Sequence, residues 1–566
     1  MPLEKNQEIE LAITGMSAQG SGVGRWVQED GGPGLAVFVP FTAVGDRIRC
    51  HIVKVQKTHA FGRLSELLEP SADRLPADEA ADCAAFGRCG GCAYRHLSYE
   101  AELRVKEQRV ADALKRIGAL ELTPCPIVGA AAPDRYRNKA QYPVAQGEYR
   151  LLAGFYAPRS HRVVEQRDCR LQPEIFRDVL DEVLRWAKRA GVPAYDEESG
   201  QGLLRHVYIR QARATGEIMV CLVCTSGKLP DTKGLVSALR ERAPGLATVV
   251  VNINRRDTNV ILGEETFPLW GPGTITDELC GLRFRLSPHS FYQVNREQAE
   301  RLYALAAEAA ALTGKETLLD LYCGTGTIGL SMAARAAQVI GVEVVPQAVE
   351  DARRNAADNG IENARFLCAD AGQAAARLRA EGVRPDVVVL DPPRKGCDEA
   401  VVDTVALMAP SRVVYVSCDP ATLARDLRVF GERGYAVRQV TPVDMFPRTA
   451  HVETVVLLSH KKPDGHINVK VEFGEGEGKV PLDNIAKRAE EYKPKERVTY
   501  KMIKEYIEAK YGFKVHTAYI AEVKRDLGLP MYDAPNAVEE LKQPRKHPTA
   551  EKVEAIKDAL KHFEVI

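Results

Sequence analysis

The chain has 566 residues, too many for a single hydrophobic core, so several domains are expected. Hydrophobic content of 45% and charged content of 27% are those of an ordinary globular protein, and a formal net charge of zero leaves polyanion binding to local patches. No stretch approaches the ~20 apolar residues that span a membrane, and the N-terminus MPLEKNQEIELAITG has no apolar secretory segment. Thirteen cysteines in such a chain argue for reduced thiols, metal ligands or catalysis over disulfides. A cytoplasmic monomer is expected, with no membrane association and no protein partner implied.

Residues 8–67 alternate short β-rich runs with glycine turns: EIELAITG, SAQGSGVGRWV, LAVFVPFTAVGDRIRCHIVKV and HAFGRLSELLEP. This pattern predicts a small five-stranded, OB-like barrel. Such barrels bind single-stranded nucleic acid through basic and aromatic side chains on one face. Arg25, Arg47, Arg49, Lys54, Lys57, His59 and Arg63 would supply the charge, and Trp26 and Phe61 the stacking groups. An ordinary solvated surface is the competing reading. In the spacing of Gly20-Ser21-Gly22, Val37-Phe38-Val39-Pro40 and Gly45-Asp46, residues 1–68 resemble a TRAM domain, an RNA-binding barrel.

The stretch CAAFGRCGGCAYRHL places Cys83, Cys89 and Cys92 at C-x5-C-x2-C, three soft ligands in a tight loop. Zinc and an iron–sulfur cluster each need a fourth ligand, and Cys169 is the best candidate. Cys221 and Cys224 lie in the β-like run EIMVCLVCTSG and read as core packing. A helix is predicted over HLSYEAELRVKEQRVADALKRIGAL, ending near Gly118. The segments DRYRNKAQYPV, GFYAPRSHRVV and GLLRHVYIRQAR are β-like and rich in arginine, histidine and tyrosine. Basic residues interleaved with aromatics suit RNA phosphates and exposed bases, and solvated strand edges are the alternative. Residues 69–285 thus read as a central α+β domain that carries the cysteine loop.

At 317–329 the run TLLDLYCGTGTIG leads an apolar strand into Gly324-x-Gly326-x-x-Gly329 and a helix. The glycines alone do not separate a dinucleotide site from one for S-adenosylmethionine. Two details do. Asp320 stands four residues before Gly324, the usual methyltransferase form of the turn. The strand VVVLD then ends in Asp391-Pro392-Pro393, where two prolines without backbone donors take the chain out of the sheet. Strands ending at Tyr322, Glu343, Asp370, Asp391 and Cys418, separated by helices, describe a doubly wound, Rossmann-like sheet over 286–460, and all five residues converge on one edge.

Cys418 follows the strand VVYVS, and Asp419-Pro420 opens a helix after it. A lone cysteine in an apolar run is ordinarily a space-filler. Beside a methyl-donor site it becomes a candidate nucleophile. Methylation of uracil at C5 needs a thiolate at C6 and, afterwards, a base for the C5 proton. Glu453, in TAHVETVVLLS, is the candidate base; taken alone it reads as a surface carboxylate.

At FYQVN, DLYCGTGTIG, LDPPRKG, SCDPATLARD and HVETVVLL the sequence resembles the RNA uracil-5 methyltransferases, most closely those acting on bacterial 23S rRNA. The resemblance runs from about residue 8 to 460. It implies that Gln293, Tyr322, Glu343 and Asp391 bind S-adenosylmethionine, with Asp370 near the adenine. It also implies that Cys418 is the nucleophile, Glu453 the base, and Cys83, Cys89, Cys92 and Cys169 the ligands of a [4Fe–4S] cluster. Thr327 stands where some relatives carry asparagine. Function is expected to be C5 methylation of a uridine in 23S rRNA; the alternatives are the same chemistry on tRNA or a non-catalytic RNA-binding factor. Residues 461–566 lie outside the resemblance. They read as a linker with a β-run, then three helices forming either a helix-turn-helix or a small capping bundle.

Overall fold

The computed structural model describes residues 3–27, 34–76, 79, 82–460, 500–527 and 548–563. Residues Met1–Gly465 make one compact unit and His466–Ile566 a second. No helix among the described residues is long and apolar enough to cross a membrane.

The first five strands are β1 (Glu8–Met16), β2 (Ser21–Trp26), β3 (Leu35–Pro40), β4 (Arg47–Val55) and β5 (His59–Glu69). They close into a barrel in the order β1-β2-β3-β5-β4. Strand alternation turns Ile9, Leu11, Ile13, Ile48, Cys50 and Ile52 inward. Two of the arginines expected to face nucleic acid form half-exposed ion pairs with carboxylates on neighbouring strands. Arg47 pairs with Glu10 and Glu69, each at 2.9 Å, and Arg49 pairs with Glu66. β1, β4 and β5 lie side by side, so acids and bases in register neutralise one another across strands. Trp26 packs partly against the barrel core. The rings of Phe38, His59 and Phe61 cluster with centroids 5.1–5.7 Å apart, and Lys54 is the cross-strand partner of Phe61.

Helix α1 (Tyr99–Arg116) is capped by Ser98, whose hydroxyl accepts from Ala101 N at 3.2 Å. The central sheet is built from β6 (Lys139–Gln146), β7 (Leu151–Tyr156), β8 (Val163–Glu165), β9 (Leu204–Gln211), β10 (Ile218–Cys224), β11 (Leu246–Ile253) and β12 (Glu265–Trp270). Its order is β12-β11-β10-β9-β6-β7-β8. Helices α2 (Ile175–Arg189) and α3 (Thr232–Arg242) bring Trp186 and Leu239 into its core. The expectation that GLLRHVYIRQAR offers its basic residues to RNA is corrected here. β9 is a middle strand, and Arg205, His206, Tyr208 and Arg210 on it are buried. Arg210 donates to the carbonyls of Ser287 and Ser290, and Arg205 to those of Asn254 and Arg256. Cys221 and Cys224 are core residues, as expected.

A hairpin of β13 (Ile275–Leu279) and β14 (Leu282–Leu286) precedes α4 (Arg296–Ala310). The doubly wound domain then runs β15 (Thr317–Leu321), α5 (Thr327–Met332), β16 (Gln338–Glu343), α6 (Pro346–Asp358), β17 (Ala364–Cys368), α7 (Ala371–Ala380), β18 (Val387–Leu390), α8 (Glu399–Met408), β19 (Arg412–Ser417), α9 (Pro420–Glu432), β20 (Tyr435–Val443) and β21 (Glu453–His460). The strand order β17-β16-β15-β18-β19-β21-β20 reverses direction between β15 and β18, the switch point where such sheets open a crevice.

In the second unit α10 (Tyr500–Tyr511), α11 (Thr517–Asp526) and α12 (Ala550–His562) share a core of Ile503, Ile507, Ile520, Val523, Ile556 and Leu560. The β-run expected before them lies outside the described residues.

Candidate active site

A cavity of about 1360 Å³ opens over the carboxyl ends of the doubly wound strands. Gln293, Tyr322, Glu343, Asp370, Asp391, Cys418 and Glu453 all line it, so every residue expected at the donor and reaction sites meets there. Local chemistry places each one. Tyr322 follows β15 in the left-handed region, φ 67°, and turns the chain into the glycine loop. Glu343 ends β16 and accepts from Gly324 N at 3.1 Å and Val345 N at 2.9 Å, which fixes its carboxylate at the cavity wall. Asp370 caps α7, accepting from Gly372 N at 3.0 Å and Gln373 N at 3.2 Å.

Asp320 lies beneath the glycine loop and accepts from Gly329 N at 2.9 Å. Burial pushes its carboxyl up to about 8, with Asp391 adding to the effect. A Cβ on Gly329 would come within 2.8 Å of the Asp320 carboxylate, so the third glycine is required by close packing. Thr327 lines the cavity, and its hydroxyl shares a hydrogen bond of 3.0 Å with the Tyr303 hydroxyl.

Cys418 and Glu453 are brought together by strand register. β19 and β21 are antiparallel with Ser417 opposite Thr454, so the next step along each strand sets Cys418 beside Glu453. Burial pushes the Cys418 thiol up to about 11, the carboxylates of Glu453 and Asp391 push further, and Arg394 opposes them. Burial likewise pushes Glu453 up to about 8, with Asp391 adding and Arg394 again opposing. Asp391, just past β18, rises to about 7 through burial alone. These are three acids in a desolvated corner, with one guanidinium to balance them.

Arg394, Phe446, His451, Tyr303 and Phe291 also line the cavity and were not singled out from sequence. Arg394 and His451 stand inside the motifs LDPPRKG and HVETVVLL, so motif membership was an available signal. Phe446 had none.

Cys92 of the cysteine loop lies within electrostatic reach of Cys83, Cys89 and the distant Cys169. Cys83 and Cys89 pack with Ala85, Ala157 and Val164, and Gln166 Nε2 donates to Cys83 Sγ at 3.2 Å. Burial raises Cys92, with Cys169 the next cause; burial pushes Cys169 up to about 11. Among the described residues, no group of three or more His, Cys, Asp or Glu is disposed to hold a metal ion.

A glycine loop with Asp320 beneath it, Glu343 ending the next strand and Asp391-Pro392-Pro393 at the same sheet edge are the features expected of a methyltransferase. The family model described as tRNA (Uracil-5-)-methyltransferase matches residues 275–461, and the TRAM domain model matches residues 2–65. An uncharacterized RNA methyltransferase of Halalkalibacterium halodurans is 46% identical over 461 residues, covering 81% of this chain and 98% of that protein. One from Clostridium tetani is 41% identical over 460 residues, with the same coverage of 81% and 98%. Among solved structures, Pyrococcus abyssi tRNA (uracil-54, C5)-methyltransferase in complex with S-adenosyl-L-homocysteine matches with a TM-score of 0.63 and 26% identity, over 80% of this chain and all of that one. The chain belongs to the S-adenosylmethionine-dependent RNA uracil-5 methyltransferase family, with a TRAM domain ahead of its methyltransferase domain.

Proposed function

We propose that this protein methylates C5 of a uridine in 23S rRNA through a covalent bond between Cys418 and C6. The observation that carries the covalent step is the β19–β21 register, which sets Cys418 beside Glu453 in the cavity that Asp391 and the glycine loop also line, while the choice of 23S rRNA rests on the sequence resemblance. Gln293, Tyr322, Glu343, Asp370 and Asp391 would hold S-adenosylmethionine, and the cavity has room for that molecule and an extruded nucleotide together. When bound, S-adenosylmethionine supplies an electrophilic methyl on a sulfonium.

The chemistry falls to the protein as follows. The Cys418 thiol gives its proton to solvent and Sγ bonds to C6, pushing the C5–C6 π electrons toward the C4 carbonyl as an enolate. The enolate makes C5 nucleophilic, and C5 accepts the methyl. Glu453 then removes the C5 proton; the C5–C6 double bond re-forms and Sγ leaves as thiolate. A buried Glu453 raised to about 8 suits this step, because a base near the working pH balances ionised fraction against proton affinity. Arg394 is the cation that offsets part of the cost that burial and the two carboxylates place on a thiolate at Cys418. The separation into residues 1–68, 69–285, 286–460 and 461–566 assigns RNA contact to the first two and chemistry to the third, in a cytoplasmic enzyme.

Cys83, Cys89, Cys92 and Cys169 would hold a [4Fe–4S] cluster. Four soft thiolate ligands suit iron–sulfur chemistry. Its contribution would be a cross-link between the loop and residue 169.

A second reading, tRNA as substrate, is favoured by the description of the matching family model and by the Pyrococcus abyssi enzyme. Incubating the purified protein with 23S rRNA and with tRNA, each transcribed without modification, and quantifying 5-methyluridine separates the two. Product on tRNA alone rejects the rRNA assignment. The covalent step is tested with Glu453→Gln, which should accumulate an RNA–protein adduct stable on denaturing gels.

A further inference from the structure

The loop joining β20 to β21, residues 444–452, is held by several distant stretches of chain. Lys106 of α1 has no exposed side-chain surface, and neither have its partners Glu102 and Asp444. Its ammonium donates to Glu102 Oε1 at 2.7 Å, to Asp444 Oδ1 at 2.6 Å and to the Phe446 carbonyl at 3.1 Å. Glu102 Oε1 also accepts from Arg448 N at 2.7 Å, and the Tyr99 hydroxyl donates to Asp444 Oδ2 at 2.8 Å. Asn295, which caps α4, donates from Nδ2 to the Met445 carbonyl at 3.1 Å, and Gln298 of α4 donates from Nε2 to the Asp444 carbonyl at 3.0 Å. The chain leaving Cys92 adds Ala93 N and Tyr94 N, both donating to the Arg448 carbonyl.

What this loop carries is chemical. Phe446 and His451 line the cavity, and Glu453 begins β21 directly after it. Three buried charges are a poor source of stability, because desolvating them offsets most of their mutual attraction; well-packed apolar side chains would hold α1 as firmly. What they provide is directed geometry, since an ammonium bonded to two carboxylates and a carbonyl permits one arrangement of the loop.

We propose that the buried Glu102–Lys106–Asp444 set is a positioning device that fixes loop 444–452 so that the Glu453 carboxyl stays directed at the C5 proton of the substrate. The proposal rests on the reading of Glu453 as the base. Lys106, Glu102 and Asp444 touch no reacting atom; they act through the loop, and their effect falls on the release step.

The test follows release separately from methyl transfer. Lys106→Met keeps the side-chain length and removes the cation, and Asp444→Asn keeps the shape in case the first variant folds poorly. Each is incubated with RNA and S-adenosylmethionine, and adduct on denaturing gels is measured against released 5-methyluridine. Leu239→Ala, a core truncation in α3 at a residue that does not itself line the cavity, controls for lost stability. Either charge variant should raise the adduct-to-product ratio at least tenfold, approaching Glu453→Gln, while Leu239→Ala leaves the ratio at the wild-type value. A wild-type ratio in both charge variants, whatever their total rate, overturns the positioning role. If Glu453→Gln itself forms no adduct, the base assignment fails and the positioning role falls with it.

Discussion

Glu453 should make this protein lose stability as the pH rises. Burial lifts its carboxyl from 4.5 to about 8 in the folded chain. Between those values the unfolded chain carries Glu453 ionised while the folded chain keeps it protonated. The folded state therefore binds the extra proton, and stability is full below the unfolded pKa and falls as pH rises through the folded one. The whole interval corresponds to an upper bound of ~5 kcal/mol at 1.36 kcal/mol per pKa unit. Asp391, itself raised to about 7, shares the corner, so the two titrate as a coupled pair and ~2–4 kcal/mol is the expected share of Glu453. Glu453→Gln cannot ionise and escapes this loss. Thermal midpoints of wild type and Glu453→Gln, taken from pH 5 to pH 9 at constant ionic strength, should diverge from pH 5 upward and stop diverging above about pH 8, with the variant the more stable. Release of the wild-type adduct should accelerate over the same range as the base ionises. Parallel midpoint curves would refute the buried, protonated state of Glu453.

Gly329→Ala should weaken S-adenosylmethionine binding, because the new Cβ meets the Asp320 carboxylate at 2.8 Å and Val339 Cγ1 at 3.2 Å. A strain of ~1–3 kcal/mol would lower affinity roughly 5- to 150-fold by calorimetry. Cys89→Ser should lower the melting temperature and weaken RNA binding, while the folded fraction keeps its affinity for S-adenosylmethionine. Protein purified without oxygen should be brown and contain about four irons per chain, and one zinc without inorganic sulfide would reject the cluster.

The donor site was legible in the sequence because its signals are local. A parallel strand is a short apolar run, its turn is written in glycines or prolines, and the residue after the run must lie at the carboxyl edge. Tyr322, Glu343, Asp391 and Cys418 all followed from that rule. What stayed hidden depends on neighbours. Arg47 and Arg49 look like free charge until β4 is placed between β1 and β5, where acids face them. The basic run in β9 looks like a nucleic-acid face until strands cover both of its edges. Lys106 reads as one more helix lysine, and its partner Asp444 is 338 positions away, beyond the reach of any periodicity.

The claim at the centre of this account is that Cys418 makes the bond that lets C5 of uridine be methylated. The direct measurement is nucleoside mass spectrometry on RNA treated with methyl-labelled S-adenosylmethionine and either wild type or Cys418→Ala. Wild type should yield labelled 5-methyluridine. Cys418→Ala should yield none while still binding S-adenosylmethionine, with an affinity within a few-fold of wild type. Labelled 5-methyluridine from Cys418→Ala, or a different methylated nucleoside from wild type, would contradict it.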